Sequence, residues 1–301
     1  MAKFSGLLAA AAAFSLWGIL PVYWRLLQQV PAYEILCHRM SWSLVVAFGM
    51  VLLTGRRALF ITALKEPKNR RTFTATGLLL AVNWLLYIWA VNAGFIVETS
   101  LGYFINPLIN VFFGMVFFRE RMRPVQWFAL FIAFLGVLYL TFYYGRFPWI
   151  ALMLAMSFAT YGLLHKRNEL GALDGLCLET GIMFLPAAAF LVGLAGTGGG
   201  SFGRIGLSGS LLLAGTGVVT TIPLLFFGYA AKKIPLSTLG LMQYLAPTIN
   251  FLLGVFVYGE EFPRTRMVGF LLIWTALGIF LAENLIRHMR VADQQAVISK
   301  K

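Results

Sequence analysis

Two apolar stretches of this chain carry a proline and an asparagine at the same spacing. The stretch SLGYFINPLINVFFG contains Pro107 and Asn110, and the stretch GLMQYLAPTINFLLG contains Pro247 and Asn250. Proline has no amide hydrogen, and its ring clashes with the carbonyl four residues earlier in a helix. We therefore predict that both stretches are helices and that each is bent or broken near its proline.

Polar side chains surround both prolines and could line a cavity that binds a small solute. Tyr103, Asn106 and Asn110 are spaced i, i+3 and i+7, so they share one helix face. Gln243 and Asn250 occupy the corresponding positions of the second stretch. Backbone carbonyls freed by proline are tolerated in a bilayer only where protein or a water-filled cavity meets them. We predict that these five side chains bind substrate; alternatively, the amides only hydrogen-bond neighbouring helices.

A second group of residues could carry a proton or act as a gate. Glu34 and His38 are four residues apart and share a helix face, whereas Arg39 points about 100° away. Charged groups within membrane helices usually face a polar interior, because insertion costs about 2.5–3.5 kcal/mol for each charge. Since histidine titrates near neutral pH, the Glu34–His38 pair could carry a coupling proton. Alternatively, Glu34 and Arg39 reach the membrane interface and form a structural pair.

Aromatic residues could stack on a solute, but enzyme and metal signatures are missing from the sequence. Trp17 lies in the middle of an apolar run and is matched by Tyr161 in the second half, so we predict that both contact substrate. The sequence contains no HExxH motif, no GxSxG motif with a histidine partner and no phosphate-binding loop. Cys37 and Cys177 lie in apolar runs without metal-ligand spacing. The sequence therefore predicts no enzyme, no metal site and no cofactor.

The elements that position these residues are apolar runs long enough to cross a bilayer. Hydrophobic residues make up 60% of the 301 positions, charged residues 12%, and the mean hydropathy is +0.82. A span needs about 20 apolar residues. We predict ten transmembrane helices in an all-α integral membrane protein, at residues 6–24, 35–53, 73–91, 99–118, 125–143, 148–164, 176–195, 208–230, 236–257 and 267–286.

The basic residues are concentrated in alternate connections between the apolar runs. With the N-terminus placed in the cytoplasm, 18 of the 24 Lys and Arg residues lie on the cytoplasmic side, 5 on the outer side, and Arg39 within the second helix. Cytoplasmic loops carry an excess of Lys and Arg, so both termini are predicted to be cytoplasmic. The net charge of +13 therefore reflects topology, and no basic patch with interleaved aromatic residues indicates nucleic-acid binding.

The second half of the chain repeats the first. From Asn83 to Glu120, matching residues recur at a constant offset of 140 positions. Each half contains five apolar runs, an odd number, so the second half would cross the membrane upside down. The predicted units are a first repeat at residues 1–146, a second, inverted repeat at 147–290, and a cytoplasmic tail at 291–301. Inverted repeats are typical of secondary transporters, with the substrate site between the halves.

Four segments resemble the RarD branch of the EamA, or drug/metabolite, transporter superfamily. The segments are VPAYEILCHRMSWS, NWLLYIWAVN, ETSLGYFINPLINVFFGMVFFRERM and VTTIPLLFFGYAAKKIPLSTLGLMQYLAPT. The resemblance covers nearly the whole chain apart from the two tails and residues 196–207. It implies ten helices in two inverted halves, a location in the bacterial inner membrane, and a permease whose relatives are named for chloramphenicol sensitivity. It does not imply a particular substrate.

Together these features predict a secondary transporter that exports small organic molecules by alternating access. The predicted partners are a small-molecule substrate, the lipid bilayer and a coupling proton, while the oligomeric state is left open. Uptake or facilitated diffusion of a metabolite such as an amino acid is an alternative. A lipid-handling protein or intramembrane enzyme is an alternative of another class, and it would require a catalytic group that the sequence does not display.

Overall fold

The computed structural model describes residues 2–93, 95–259 and 264–298, and the regular structure in these ranges is entirely helical. The described part contains twelve α-helices and one π-helical segment, Leu253–Val257. The α-helices are α1 (Ala2–Arg25), α2 (Ala32–Leu53), α3 (Arg57–Lys65), α4 (Pro67–Asn92), α5 (Ile96–Phe118), α6 (Pro124–Tyr144), α7 (Trp149–Arg167), α8 (Ala172–Gly196), α9 (Gly206–Lys233), α10 (Leu236–Met242), α11 (Leu245–Leu252) and α12 (Arg264–Ile298).

Eight helical regions of the described chain are long and apolar enough to cross a membrane. They lie in α1, α2, α4, α5, α6, α8 and α9 and in the region from Leu236 to Val257, and a shorter apolar stretch, Met267–Glu283, lies in α12. The prediction of an all-α, multi-pass membrane protein is therefore confirmed. The 19-residue helix α7 is not among the eight, and it carries buried polar side chains such as Ser157 and His165.

The basic connection predicted at residues 54–72 contains structure that the apolar runs did not indicate. The short helix α3 lies within it, and α4 begins at Pro67, because proline is favoured in the first turn of a helix. Arg56, just before α3, donates hydrogen bonds to the carboxylate of the buried Asp174. The hydrogen bond to Asp174 and the negative charge of its carboxylate raise the pKa of Arg56. The ion pair between the two residues attaches the connection to α8.

The last helix extends beyond the apolar run that predicted it. The tail expected at residues 291–301 is helical as far as Ile298, and residues 299–301 lie outside the described residues. The segment RHMRVADQQAVI contains neither glycine nor proline and is rich in helix-forming residues, so nothing in it ends the helix.

The two prolines of the repeated stretches have different surroundings. α5 is an uninterrupted helix that includes Pro107, so the expected break is not found there. The ninth apolar run is interrupted between Met242 and Leu245, and Pro247 follows as the third residue of α11. Gln243 lies four residues before Pro247, which is the position whose carbonyl a proline ring pushes out of a regular helix.

Helices from the two halves of the chain pack closely against each other around the middle of the molecule. α1 contacts α9 and α11, α4 contacts α7 and α8, and α5 contacts α7 and α10. The contact between α10 and α5 depends on Gly240, where a Cβ atom would lie 2.7 Å from the Cβ of Asn110. Small residues allow membrane helices to approach in this way, and here they bring the two polar stretches together.

Candidate functional site

A cavity of about 230 Å³, which we call the central cavity, lies where the two polar stretches meet. Its walls come from α1, α2, α4, α5, α7 and α9 and from the interrupted α10–α11 region. The cavity-lining residues of α1 lie in its C-terminal half, and those of α5 lie in its N-terminal half. The cavity is therefore displaced toward the end of the molecule where α1 ends and α5 begins.

One wall of the central cavity consists of amide and hydroxyl side chains. Three residues predicted from the sequence line it, namely Asn106, Gln243 and Asn250. Asn83 and Thr220, which were not predicted, line it as well. The side-chain amide of Asn106 donates to a backbone carbonyl of α7 at 2.7 Å, so part of its polarity is already used between helices. Asn106 therefore lines the cavity and also bonds a neighbouring helix, and its predicted contact with substrate stays a prediction.

Asn110 lies behind this wall and does not line the central cavity. Its side chain is 1% exposed, and its Nδ2 donates to Asn106 Oδ1 at 2.8 Å and to Gln243 Oε1 at 3.1 Å. These two bonds connect α5 with the residue at which the ninth apolar run is interrupted. The structure therefore places Asn110 where it orients cavity residues, and its predicted contact with substrate stays a prediction.

Aromatic side chains form the other surfaces of the cavity. Trp17 lines it, and its ring packs 5.7 Å from that of Phe158. Tyr103 also lines it and is 44% exposed, with its ring 6.1 Å from that of Tyr87. Tyr161, in contrast, is fully buried beneath the cavity, with its ring stacked 5.8 Å from that of Phe227. Of the three predicted aromatic contacts, Trp17 and Tyr103 line the cavity and Tyr161 does not.

The three residues predicted to carry a proton or act as a gate separate into two environments. The Glu34 carboxylate accepts hydrogen bonds from the backbone N–H of Ser201 at 2.6 Å and from its hydroxyl at 2.7 Å. His38 Nε2 lies 3.7 Å from Glu34, and the His38 ring stacks on Phe202 at 5.2 Å. Neither Glu34 nor His38 lines the central cavity, and together they hold the connection between α8 and α9. Their role in proton coupling stays a prediction.

Arg39 points the other way and lines the central cavity. Its guanidinium lies 4.3 Å from the ring centroid of Trp84 and 4.8 Å from that of Trp24. Its Nε donates to the Thr220 hydroxyl at 3.1 Å. The alternative in which Arg39 pairs with Glu34 at the interface is not the arrangement in this structure.

Several cavity residues were not among those predicted from the sequence to bind substrate, namely Trp24, Asn83, Trp84, Tyr87 and Thr220. A polar residue inside an apolar run was a usable signal for Asn83 and Thr220, since such residues usually face the interior of a helix bundle. Tryptophan and tyrosine gave no such signal, because both are common at membrane interfaces.

The opposite end of the molecule is closed by hydrogen bonds between the halves. The Glu120 carboxylate, just after the end of α5, accepts from the backbone N–H of Leu236 at 2.6 Å and of Ser237 at 2.9 Å. Lys166 Nζ lies 3.7 Å from Glu120 Oε1, which adds an ion pair between the halves, and it also donates to the carbonyl of Ile234 within the second half at 2.5 Å. Asn106 lies twelve residues before Phe118, the last residue of α5, which corresponds to about 18 Å of helix. A thick layer of packed side chains therefore separates the central cavity from this end.

A buried cluster of a glutamate, a histidine and a tyrosine lies within this layer. Glu179, on α8, is fully buried, and its Oε1 lies 2.6 Å from His165 Nε2 on α7. The Tyr161 hydroxyl donates to the other carboxylate oxygen at 3.4 Å. The three side chains connect α7 to α8 beneath the aromatic surface of the cavity.

The chain matches one protein family over most of its length, and it does so twice. The profile of the EamA-like transporter family matches residues 4–142 and residues 148–282. Protein RarD of Streptomyces exfoliatus is 48% identical over 287 residues, which cover 95% of this chain and 90% of that protein. An uncharacterized transporter of Vibrio cholerae is 43% identical over 280 residues, which cover 93% of both chains.

A solved crystal structure has a similar fold. Its TM-score with this chain is 0.69 at 20% sequence identity, and the alignment covers 92% of this chain and 97% of the other. At this identity the likeness concerns the fold alone.

Proposed function

Because this chain belongs to the EamA-like transporter family, and within it to the RarD branch, we propose that it is a secondary transporter that exports small organic molecules across the bacterial inner membrane. The observation that carries the proposal is the central cavity, whose polar wall joins side chains from both halves of the chain. Pockets for drug-sized ligands usually measure about 300–1,000 Å³. A cavity of about 230 Å³ favours a solute of metabolite size.

The proposed architecture has ten spanning helices in two inverted sets of five. The first set is α1, α2, α4, α5 and α6, and the second is α7, α8, α9, the region from α10 to the π-helical segment, and α12. In this arrangement α1 corresponds to α7, α4 to α9, and α5 to the α10–α11 region. The contact of α1 with α9 therefore has an equivalent in the contact of α7 with α4, and the contact of α5 with α7 has an equivalent in the contact of α11 with α1. Both kinds of contact are present, which supports the proposal, as does the double match to the family profile.

The proposed mechanism is alternating access, in which the two sets rock about the central cavity. In the orientation predicted from the basic residues, both termini are cytoplasmic and the cavity is displaced toward the outer face. The hydrogen bonds of Glu120 and its ion pair with Lys166 would then form the closed cytoplasmic gate. For export, this gate opens to admit the solute while the outer side closes above it.

The test is transport by the purified protein in proteoliposomes. A thermal-shift screen of amino acids, aromatic metabolites and amphenicols first identifies binders, since a ligand stabilises the folded state by mass action. A radiolabelled binder is then followed in counterflow. We expect Asn250→Ala to lower the transport rate about tenfold without altering thermal stability, because Asn250 faces the cavity and is exposed.

The matched control is Gln28→Ala, which removes an exposed amide that does not line the cavity. It should transport like the wild type. A well-folded protein that neither binds nor exchanges any member of the panel would contradict the proposed function.

A further inference from the structure

Arg39 is a cation without a carboxylate partner in the described part of the chain. The five ion pairs found there use Arg56, Arg123, Lys166, His38 and His165, and none includes Arg39. A positive charge within a membrane helix is costly and is usually paired with an anion or with backbone carbonyls. The described structure supplies Arg39 with a hydroxyl and two aromatic rings, which leaves its charge uncompensated.

The guanidinium is held at the cavity wall by three side chains that also line the cavity. Trp84 and Trp24 lie 4.3 and 4.8 Å from it, and the Thr220 hydroxyl accepts from Nε at 3.1 Å. Guanidinium groups stack on aromatic rings in this way and keep a rigid fork of five donors. Only the Nε donor has an acceptor among the described residues, so both terminal nitrogens remain for a ligand.

No other charged side chain lines the central cavity in the described part of the structure. The remaining cavity residues are aromatic or aliphatic side chains, amides and hydroxyls. A planar carboxylate pairs with the two terminal nitrogens of a guanidinium through two parallel hydrogen bonds. The single charge of a carboxylate also matches a single cation, whereas a phosphate monoester would bring a second negative charge that nothing in the cavity neutralises.

From these contacts we infer that the solute bound in the central cavity is a small organic carboxylate with a planar or aromatic body. Arg39 binds the carboxylate, Thr220 orients the guanidinium, and Trp24 and Trp84 flank the ligand. This inference rests on the proposed function, because it assigns the substrate class of the same cavity. It assigns Arg39 to substrate recognition rather than to proton coupling or gating.

A comparison of two matched ligands on the wild-type protein tests whether the cavity prefers a negatively charged ligand, and it requires no mutation. The probes are phenylacetate and phenylacetamide, which have nearly the same shape and differ in charge. Affinity is measured in detergent by thermal shift and by quenching of tryptophan fluorescence. We expect phenylacetate to bind at least about tenfold more tightly, since charge-assisted bonds to Arg39 are lost with the amide. Equal affinities, or tighter binding of phenyl phosphate, would overturn the inference.

Variants of Arg39 place the effect at this residue. Arg39→Gln should weaken phenylacetate binding about 10–100-fold and leave phenylacetamide binding unchanged. Arg39→Lys should be intermediate, because lysine is a point charge without the planar fork. The control is Arg25→Gln, which removes an exposed arginine that contacts Tyr258 and does not line the cavity. Unchanged phenylacetate binding in a folded Arg39→Gln protein would contradict the assignment.

Thr220→Val provides a second route if Arg39→Gln does not fold. It removes the acceptor that orients Nε and keeps the shape of a buried side chain, so phenylacetate affinity should fall severalfold and phenylacetamide affinity should not. Unchanged affinity for both probes in this variant would count against the inference.

Transport measurements separate this inference from the proposed function. If neutral solutes are transported and their carboxylate analogues are not, the transporter assignment stands and the inference fails. If carboxylates bind in an Arg39-dependent way but nothing crosses the bilayer, the recognition site stands and the transporter assignment fails.

Discussion

Asn110 and Asn250 have equivalent positions in the repeated stretches, yet they lie in different environments. Asn250 is exposed to the central cavity, whereas Asn110 is 1% exposed and hydrogen-bonded to two other amides. The difference arises because Gly240 allows α10 to pack directly over Asn110. The local motif is the same in both stretches, so the burial of each asparagine depends on the helix that covers it.

We therefore expect Asn110→Ala to affect stability as well as transport, unlike Asn250→Ala. Removing the Asn110 amide leaves Asn106 Oδ1 and Gln243 Oε1 without this donor inside the protein. An unsatisfied buried polar group costs about 1–3 kcal/mol. The melting temperature in detergent, measured for both variants beside the wild type, should fall for Asn110→Ala only. Equal melting temperatures would indicate that the amide network is not structural.

Helix geometry predicted part of the arrangement at the residue scale. The 100° between His38 and Arg39 implied that these two side chains face different surroundings, and in the structure His38 stacks on Phe202 while Arg39 lines the cavity. Which of them faces the cavity depends on the packing of α2 against α9, where Arg39 meets Thr220. That contact joins residues 181 positions apart, and the spacing of residues within one helix carries no information about it.

At the scale of whole elements, the clearest asymmetry lies between α5 and its counterpart in the second half. α5 includes Pro107 in a continuous helix, while the counterpart divides into α10, α11 and the π-helical segment Leu253–Val257. The sequence located both prolines but could not distinguish their effects, because membrane helices tolerate proline when neighbouring groups satisfy the freed carbonyls. The interruption places Gln243 at the cavity wall, next to the amides of α5.

Pro247→Ala should therefore impair transport more than Pro107→Ala does. Alanine at position 247 restores an N–H group and removes the clash with the carbonyl of Gln243, so the ninth span can become a regular helix and withdraw Gln243 from the wall. We expect a several-fold lower transport rate with equal or higher thermal stability. Pro107→Ala is the matched control, because α5 is already continuous. Similar transport in the two variants would show that the interruption has no functional role.

For the molecule as a whole, apolar runs predicted a polytopic helical protein because a bilayer requires long apolar helices. α7 shows the limit of this reasoning. It packs against α4, α5 and α9. It carries two buried side chains, Tyr161 and His165, and His165 forms a hydrogen bond with Glu179. A helix surrounded by protein can carry polar groups that a lipid-facing helix cannot. Hydropathy alone therefore does not identify α7 as a span, although it does identify α5 and α9, whose most apolar windows are half buried.

Alternating access at this scale predicts that the two ends of the molecule are coupled. The Glu120 carboxylate accepts bonds from Leu236 and Ser237 in this structure, and in the proposed mechanism these bonds break when the end opposite the cavity opens. Glu120→Ala removes these bonds and should shift the population toward the conformation that is open at that end. The shift equals the free energy by which the bonds stabilise the closed conformation relative to the open one. Access to the central cavity from the outer side should decrease accordingly.

Labelling of a cysteine at position 103 measures this shift. With Cys37 and Cys177 replaced by alanine, Tyr103→Cys places a single thiol in the cavity, and a membrane-impermeant maleimide is added to intact cells. We expect Glu120→Ala to slow labelling severalfold relative to the otherwise identical protein. The control is Glu66→Ala, which removes an exposed carboxylate bonded to Asn69, away from this closure. Faster labelling from inside-out vesicles than from intact cells would reverse the proposed orientation, and identical rates with and without Glu120 would contradict coupling between the two ends.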